Sequence, residues 1–242
     1  ERLAAKRAEE ERLAARQAAE KAAALAKIKK ALADRYKQQG ITYFNQKKYD
    51  LALAEFEKAI AANAEDAEAH IHRGTVFITQ KNPNNAIAAF TKGIRLEPTK
   101  EMEAVAYFNR GAAHILVRAY PEAAEDYGSY IRLKPDDARA YYLRGFAYVE
   151  NKEYDKAIAD FSTFIDRKPA DAAGYYNRGR AYSHKTGKTD VLQAIADFTR
   201  AIELKPNDFN AWKFRGIAHL RNRDPKQSKR DLDKAKELER KQ

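Results

Sequence analysis

The chain has 242 residues, 44% hydrophobic and 33% charged, with 10 Gly, 7 Pro and no Cys. That is enough apolar material for a packed interior, while a mean hydropathy of −0.76 and the want of a long apolar run exclude a helical membrane-spanning protein. Lack of Cys excludes disulfides, thiolate metal sites, iron–sulfur clusters and Cys nucleophiles.

Few Gly and Pro argue for helix over a turn-dense β fold. The net charge is +11, and residues 1–33 and 221–242 hold +4 each, leaving +3 across the long middle. Basic ends, rather than one coherent basic face, point away from nucleic acid as the partner. An acidic protein surface or an anionic lipid fits the ends equally well.

Residues 1–32 form a charged, Ala-rich arm with Ile28 as its one β-branched residue, so helix propensity is very high. Arg7 and Glu11, and Arg16 and Glu20, are spaced to pair at i,i+4 for a few tenths of a kcal/mol each. Leu3, Leu13, Leu25, Ile28 and Leu32 are sparse and hold no sustained heptad. One helix is predicted to run unbroken into the segment that follows, with its first 33 residues projecting about 50 Å. Such an arm reads as a spacer or docking element, self-association by coiled-coil pairing included, or else as a solvated extension from a longer protein. The chain opens on Glu rather than Met, so an upstream segment is expected, a signal peptide being one candidate.

From residue 33 onward the chain repeats. Glycines at 40, 74, 111, 145, 179 and 216 are spaced by 34, 37, 34, 34 and 37 residues. Each sits in the same phrase: YKQQGITY, HIHRGTVF, YFNRGAAH, YYLRGFAY, YYNRGRAY and WKFRGIAH. A second phrase follows, with a small residue (Ala52, Ala86, Ala123, Ala157, Ala194, Ser228) four before a large one (Phe56, Phe90, Tyr127, Phe161, Phe198, Leu232). Pro98, Pro135, Pro169 and Pro206 close units two to five, and Pro83, Pro121 and Pro225 fall where a first helix should turn into a second. Period and pattern predict paired helices that stack because one hairpin cannot bury its own apolar face. A small residue on the first helix should face Ala on the second, with the rings filling the space beside that contact.

These phrases resemble the tetratricopeptide repeat family over residues 33–242. The resemblance implies an all-α, right-handed α-solenoid of six hairpins preceded by the long N-terminal helix. The units are approximately 33–66, 67–103, 104–137, 138–171, 172–208 and 209–242, the last one atypical and ending in the polar run KAKELERKQ as a terminal cap. Three extra residues between Gly74 and Gly111 fall in TKEMEA after Pro98. Those between Gly179 and Gly216 are expected to lengthen the loop HKTGKTD of the fifth hairpin.

Candidate chemistry is thin. His114 and His219 fill a recurring aromatic slot and His70 an earlier one, so packing accounts for them. His70 and His72 at i,i+2 point some 200° apart on a helix and cannot share one metal ion. Gly187-Lys188-Thr189 mimics the tail of a phosphate-binding loop, but Tyr182 stands where that motif needs its first Gly, and no strand is predicted before it. Neither an enzyme nor a cofactor is expected. Arg73, Arg110, Arg144, Arg178 and Arg215 recur before the repeat glycine and invite an anionic ligand. Asp126, Asp160, Asp197 and Asp231 recur opposite four of them, so ion pairs within each repeat are the expectation, with Arg73 facing Ala89 as the exception.

The resemblance also implies a concave wall lined by the first helix of each hairpin. Its partner-binding residues are then Phe108, Tyr142 and Tyr176 as an aromatic stripe, with Phe146, and Asn109, Arg139, Asn177 and Arg180 as polar flanks. Lys37, His72 and Lys213 are secondary candidates. Rings supply apolar area at small entropic cost, and Asn can bond an extended peptide backbone. Packing of the same rings against neighbouring helices is the competing reading.

Some family members grip a chaperone's C-terminal carboxylate through Lys, Asn, Asn, Lys and Arg. Here Lys37 fits the first position, but Ile41, His72, Val105 and Asn109 do not fit the others. The expected function is therefore a non-enzymatic adaptor or scaffold that holds an extended or helical segment of another protein. Two alternatives stay open: a part of a homo-oligomer or larger envelope assembly, and a solenoid that binds RNA or an anionic surface. The phrases resemble those of bacterial members, which with the lack of Cys favours periplasm or envelope slightly over cytoplasm.

Overall fold

The computed structural model describes residues 2–241. Glu1 and Gln242, and the side chains of Leu3, Ala4, Ala5 and Ala8, lie outside the described residues. Among the described residues there are twelve α-helices and no strand. They are α1 (Arg2–Asn45), α2 (Tyr49–Ala62), α3 (Ala67–Thr79), α4 (Pro83–Arg95), α5 (Lys100–Leu116), α6 (Tyr120–Leu133), α7 (Ala138–Glu150), α8 (Tyr154–Arg167), α9 (Ala172–His184), α10 (Lys188–Leu204), α11 (Phe209–Arg221) and α12 (Pro225–Glu239). Contacts divide the chain into two compact units, Glu1–Asn109 and Arg110–Gln242.

Local chemistry sets the helix ends. Asp66, Asp137, Asp171 and Asp208 cap α3, α7, α9 and α11 by accepting backbone N–H groups of the first turn. Pro83 and Pro225 stand at the first residue of α4 and α12, and Pro121 at the second of α6, where their missing N–H leaves no bond unmade. In five hairpins the turn between helices is closed by a basic residue in the left-handed region: Lys47, Lys81, Arg118, Lys152 and Arg223, with φ between 59° and 63°. Each stands seven residues after its repeat glycine.

The fifth hairpin turns differently, and here expectation and structure part. Its turn, residues 185–187, is no longer than residues 151–153 of the fourth. The three extra residues are wound into α10, which has 17 residues against 14 in α8. Likewise most of TKEMEA lies inside α5, with 17 residues against 13 in α7. Helix absorbs the insertion because each added residue keeps its backbone hydrogen bond, which an added loop residue would have to find elsewhere.

The glycines fit the large residue of the second helix more directly than the pattern suggested. A Cβ on Gly40 would stand 2.6 Å from the Phe56 ring, on Gly74 2.7 Å from Phe90, and on Gly179 2.9 Å from Phe198. Ring edge against bare backbone, rather than Gly against Ala, is the close contact in each pair. Phe56, Phe90, Phe161 and Phe198 are at most 1% exposed, which is worth about 2–3 kcal/mol each by area removed from water. Beside them run the ion pairs. Arg110 meets Asp126 at 2.6 Å, Arg144 meets Asp160 at 2.8 Å, Arg178 meets Asp197 at 2.8 Å, and Arg215 meets Asp231 at 2.7 Å.

The arm is the leading part of α1, and its described residues up to Leu32 are exposed. Arg16 pairs with Glu20 at 2.9 Å. Leu25, Ile28 and Leu32 are 54%, 64% and 39% exposed, at i, i+3 and i+7 along one stripe.

Candidate partner-binding site

In the second unit, α7 carries Tyr142 and Phe146 one turn apart, and α9 carries Tyr176 and Arg180 at the same spacing. Side chains four apart share a helix face, so neighbouring first helices present the two pairs together. Tyr142, Phe146, Tyr176, Asn177 and Arg180 line one open cavity of about 860 Å³. Its rim adds Arg167, Lys168 and Lys205, with Asp171 and Asp208 as the acidic members. Both aspartates are occupied as helix caps, accepting from Ala173 and from Asn210 and Ala211.

The tyrosines are anchored by neighbouring rings. The Tyr142 ring lies 5.8 Å from Phe161 and 5.1 Å from Phe164, and Tyr176 lies 6.0 Å from Phe198 and 5.9 Å from Phe214. Both remain half-buried, and burial pushes both phenol pKa values above their ordinary range. Each ring is thus partly core and partly wall, so the two readings of the stripe describe opposite sides of the same side chains.

Asn177 lines the cavity, and its amide is engaged within the fold. It is buried, and its Nδ2 donates to the Tyr142 hydroxyl at 2.9 Å and to the Ala173 carbonyl at 3.0 Å, while its Oδ1 accepts from Arg180 at 3.2 Å. That amide sets the positions of two wall residues, Tyr142 and Arg180. Arg139 is placed elsewhere: it is exposed and held on Asp137 at 2.7 Å, lining a separate hollow with Asp136 and Lys168.

Phe108 and Asn109 lie half-buried on α5 in the first unit, where Asn109 donates to the Val105 carbonyl at 3.0 Å. Of the secondary candidates, Lys37 is buried against Asp66 at 3.1 Å and Glu68 at 3.2 Å. Burial pulls its pKa down, but the two carboxylates outweigh burial and hold it above the ordinary lysine value. Its charge is already answered inside the fold. His72 stacks on Phe56 at 5.3 Å, and burial lowers its pKa. Lys213 is exposed on α11.

Sequence reasoning missed two groups of contributors. Pro169, Leu204 and Lys205 reach the cavity from the ends of second helices and the links after them, a source outside the first-helix register. Phe214 and Ile217 stand in that register but outside the stripe at its leading position; with Arg180, His184 and Arg221 they line a second cavity of about 370 Å³.

His70 Nε2 lies 3.1 Å from the Ala64 carbonyl, and His114 lies 3.1 Å from Asp126. Among the described residues no group of three His, Asp or Glu could hold a metal ion, and no helix is long and apolar enough to cross a membrane. Gly187-Lys188-Thr189 opens α10 rather than following a strand.

Comparison with known proteins agrees with this architecture. A profile of the tetratricopeptide repeat matches residues 37–101, 117–172, 147–185 and 187–235. The Hsp70-Hsp90 organizing protein of Triticum aestivum is 26% identical over 106 residues, 44% of this chain. The chain spans only 18% of that relative's length. Among solved structures, MamA superposes with a TM-score of 0.65 at 27% identity, over 73% of this chain and 93% of its own. YrrB, described as a TPR protein with an unusual peptide-binding site, gives 0.65 at 20% identity over 76% of this chain and 91% of its own. At that identity the likeness to YrrB is one of fold. With the profile covering more than half of its length, this chain belongs to the tetratricopeptide repeat family, whose members mediate protein–protein interaction.

Proposed function

We propose that the chain is a non-enzymatic adaptor that captures a segment of another protein in the cavity walled by Tyr142, Phe146 and Tyr176. The observation that carries this reading is the cavity's construction: about 860 Å³, open to solvent, with two tyrosine rings held against Phe161, Phe164, Phe198 and Phe214. A braced ring offers apolar contact area with little entropy left to lose on binding. Four of the five recurring arginines are answered by aspartate inside the fold, which takes away the feature that favoured an anionic polymer. The chaperone-carboxylate grip is disfavoured on the same grounds, because Lys37 is already held by Asp66 and Glu68.

The test is affinity capture from source-cell extract with the parent chain beside a Tyr142→Ala, Tyr176→Ala variant, once circular dichroism shows equal helicity. A protein retained by the parent and lost by the variant supports the cavity. Equal retention by both sinks it for that partner.

A second reading rests on a different observation, the exposed stripe Leu25, Ile28 and Leu32 of the arm. It makes the chain a self-associating part of a larger assembly. Light scattering on the parent and on an Ile28→Glu variant tests it, since only a stripe-mediated oligomer falls to monomer.

A further inference from the structure

Arg180 lines both cavities of the second unit. On one side of it stand Tyr142, Phe146 and Tyr176; on the other stand Phe214 and Ile217. Helix α9, which carries Arg180, packs beside both α7 and α11. Along the groove the lining therefore runs from the apolar residues of α7 and α9, past Arg180, to the apolar residues of α11.

The charge at the centre is poorly answered. Among the described residues Arg180 has one carboxylate neighbour, Glu150, at 3.5 Å, where the four arginines of the ladder hold theirs at 2.6–2.8 Å. Its side chain is 25% exposed, so it faces the open groove while much of its length is buried. The second cavity has two guanidinium groups in its lining and no carboxylate. One of them, Arg221, is occupied in donating to the Ser183 and Lys185 carbonyls, which holds the fifth turn. Arg180 is held by the Asn177 Oδ1 at 3.2 Å and by Glu150 at 3.5 Å, without a close carboxylate, and a carboxylate brought to it in a partly dry groove makes a short, charge-assisted pair. Ile217 is 40% exposed and half-buried Phe214 stands beside it, an apolar surface with room for one more side chain.

We infer that the groove of the second unit takes an extended peptide segment carrying an acidic side chain between two apolar ones. One apolar residue sits against Tyr142 and Tyr176, the acid meets Arg180, and the second apolar residue sits against Phe214 and Ile217. Packed helices lie roughly 8–10 Å apart and an extended chain advances about 3.3 Å per residue. The two anchors are therefore about three residues apart. This rests on the cavity being a peptide site, as proposed above, and adds the second subsite and the order of side chains.

Random dodecapeptides displayed on phage and selected on the full chain supply the probe, and fluorescence anisotropy with the enriched peptide gives affinities. The expected enrichment is two apolar residues enclosing Asp or Glu. Ile217→Asp then weakens binding about tenfold, as loss of a buried anchor does. Arg180→Glu weakens it at least as much, and replacing the peptide's acid by Lys restores binding to that variant. Rescue of this kind cannot come from a misfolded groove. Enriched peptides without an acid, or affinity unchanged in Ile217→Asp, overturn the inference. If peptides bind and depend on Tyr176 but not on Ile217 or Arg180, this inference fails and the cavity reading stands. If nothing enriches, both fail.

Discussion

Asn177 donates its amide N–H to the Tyr142 hydroxyl across 2.9 Å, so the fifth hairpin fixes the orientation of a ring that belongs to the fourth. The hydroxyl and the ring of Tyr142 thereby have separable roles. Tyr142→Phe removes the bond but keeps the wall, and is expected to cost about 1 kcal/mol of stability with peptide affinity kept within about threefold. Tyr142→Ala removes ring packing against Phe161 and Phe164 as well, costing about 3 kcal/mol and most of the affinity. Urea denaturation and a binding titration on both variants check the pair. Equal affinity losses would mean that the hydroxyl, not the ring, meets the ligand.

The ladder supplies a second comparison. Arg144 holds Asp160, which is 5% exposed, at 2.8 Å. Arg73 has no carboxylate; its Nε is buried without a hydrogen-bond partner among the described residues, and its guanidinium lies 5.9 Å from the Phe77 ring. Removing Arg144 strands a buried carboxylate, so Arg144→Ala should cost about 3 kcal/mol or more. Arg73→Ala strands nothing and should cost under about 1 kcal/mol. Ala89→Asp places a carboxylate in the register of the other four and is expected to raise the stability of the second hairpin. Hydrogen exchange resolved by hairpin reads each effect locally, as a repeat array requires.

Much of this was legible in the sequence because it is periodic. A glycine every 34 or 37 residues with a large residue 16 or 19 later names the helix pairs, and the same offset finds the Arg–Asp pairs from spacing alone. Whatever depends on one side chain choosing among several neighbours was less legible. Asn177 sits in a register suited to a ligand, yet its amide is spent on Tyr142, Ala173 and Arg180. Arg139 points along the wall in sequence terms, but Asp137 two residues before it offers a nearer charge. Lys37 matched a known grip by position while Asp66, at the end of its own unit, and Glu68 of the next already enclosed it. The insertion of the fifth hairpin was misplaced for a related reason: residue counting cannot tell a longer loop from a longer helix, and the hydrogen bonds of helix decide it.

Glycines of two kinds give opposite predictions. Gly74 faces the fully buried Phe90 ring at 2.7 Å from a would-be Cβ. Gly74→Ala must displace that ring, an overpacking cost of about 1–3 kcal/mol against a gain of about 1 kcal/mol in helix propensity. Gly128 faces only Arg144 Nη1, at 3.6 Å. Its counterparts Ser162 and Thr199 accept from Arg178 at 2.9 Å and from Arg215 at 3.2 Å. Gly128→Ser should therefore stabilise the third and fourth hairpins by about 0.5–1.5 kcal/mol, through helix propensity and a hydroxyl for Arg144. Thermal or urea midpoints that move the same way for both variants would contradict this account.

Acid should act on Asp137 in a defined window. The carboxylate accepts from Arg139 at 2.7 Å and from the Tyr130 hydroxyl at 2.8 Å while capping α7, and the Arg139 bond chiefly lowers its pKa to about 2. In the unfolded chain its value is about 3.9. A folded pKa below the unfolded one means that folding favours the ionised form, so the stabilisation is complete above about pH 5 and is lost as pH falls through about 2. Arg139 is 73% exposed, and solvent screening limits the effect to about 1 kcal/mol. Asp137→Asn keeps a capping oxygen but loses the charge. The parent should therefore exceed Asp137→Asn in stability by about 1 kcal/mol at pH 7, and urea titrations should show that gap narrowing below pH 4 and closing near pH 2. A gap unchanged across this range would mean that capping and the Tyr130 bond, rather than the charge on Asp137, hold the start of α7.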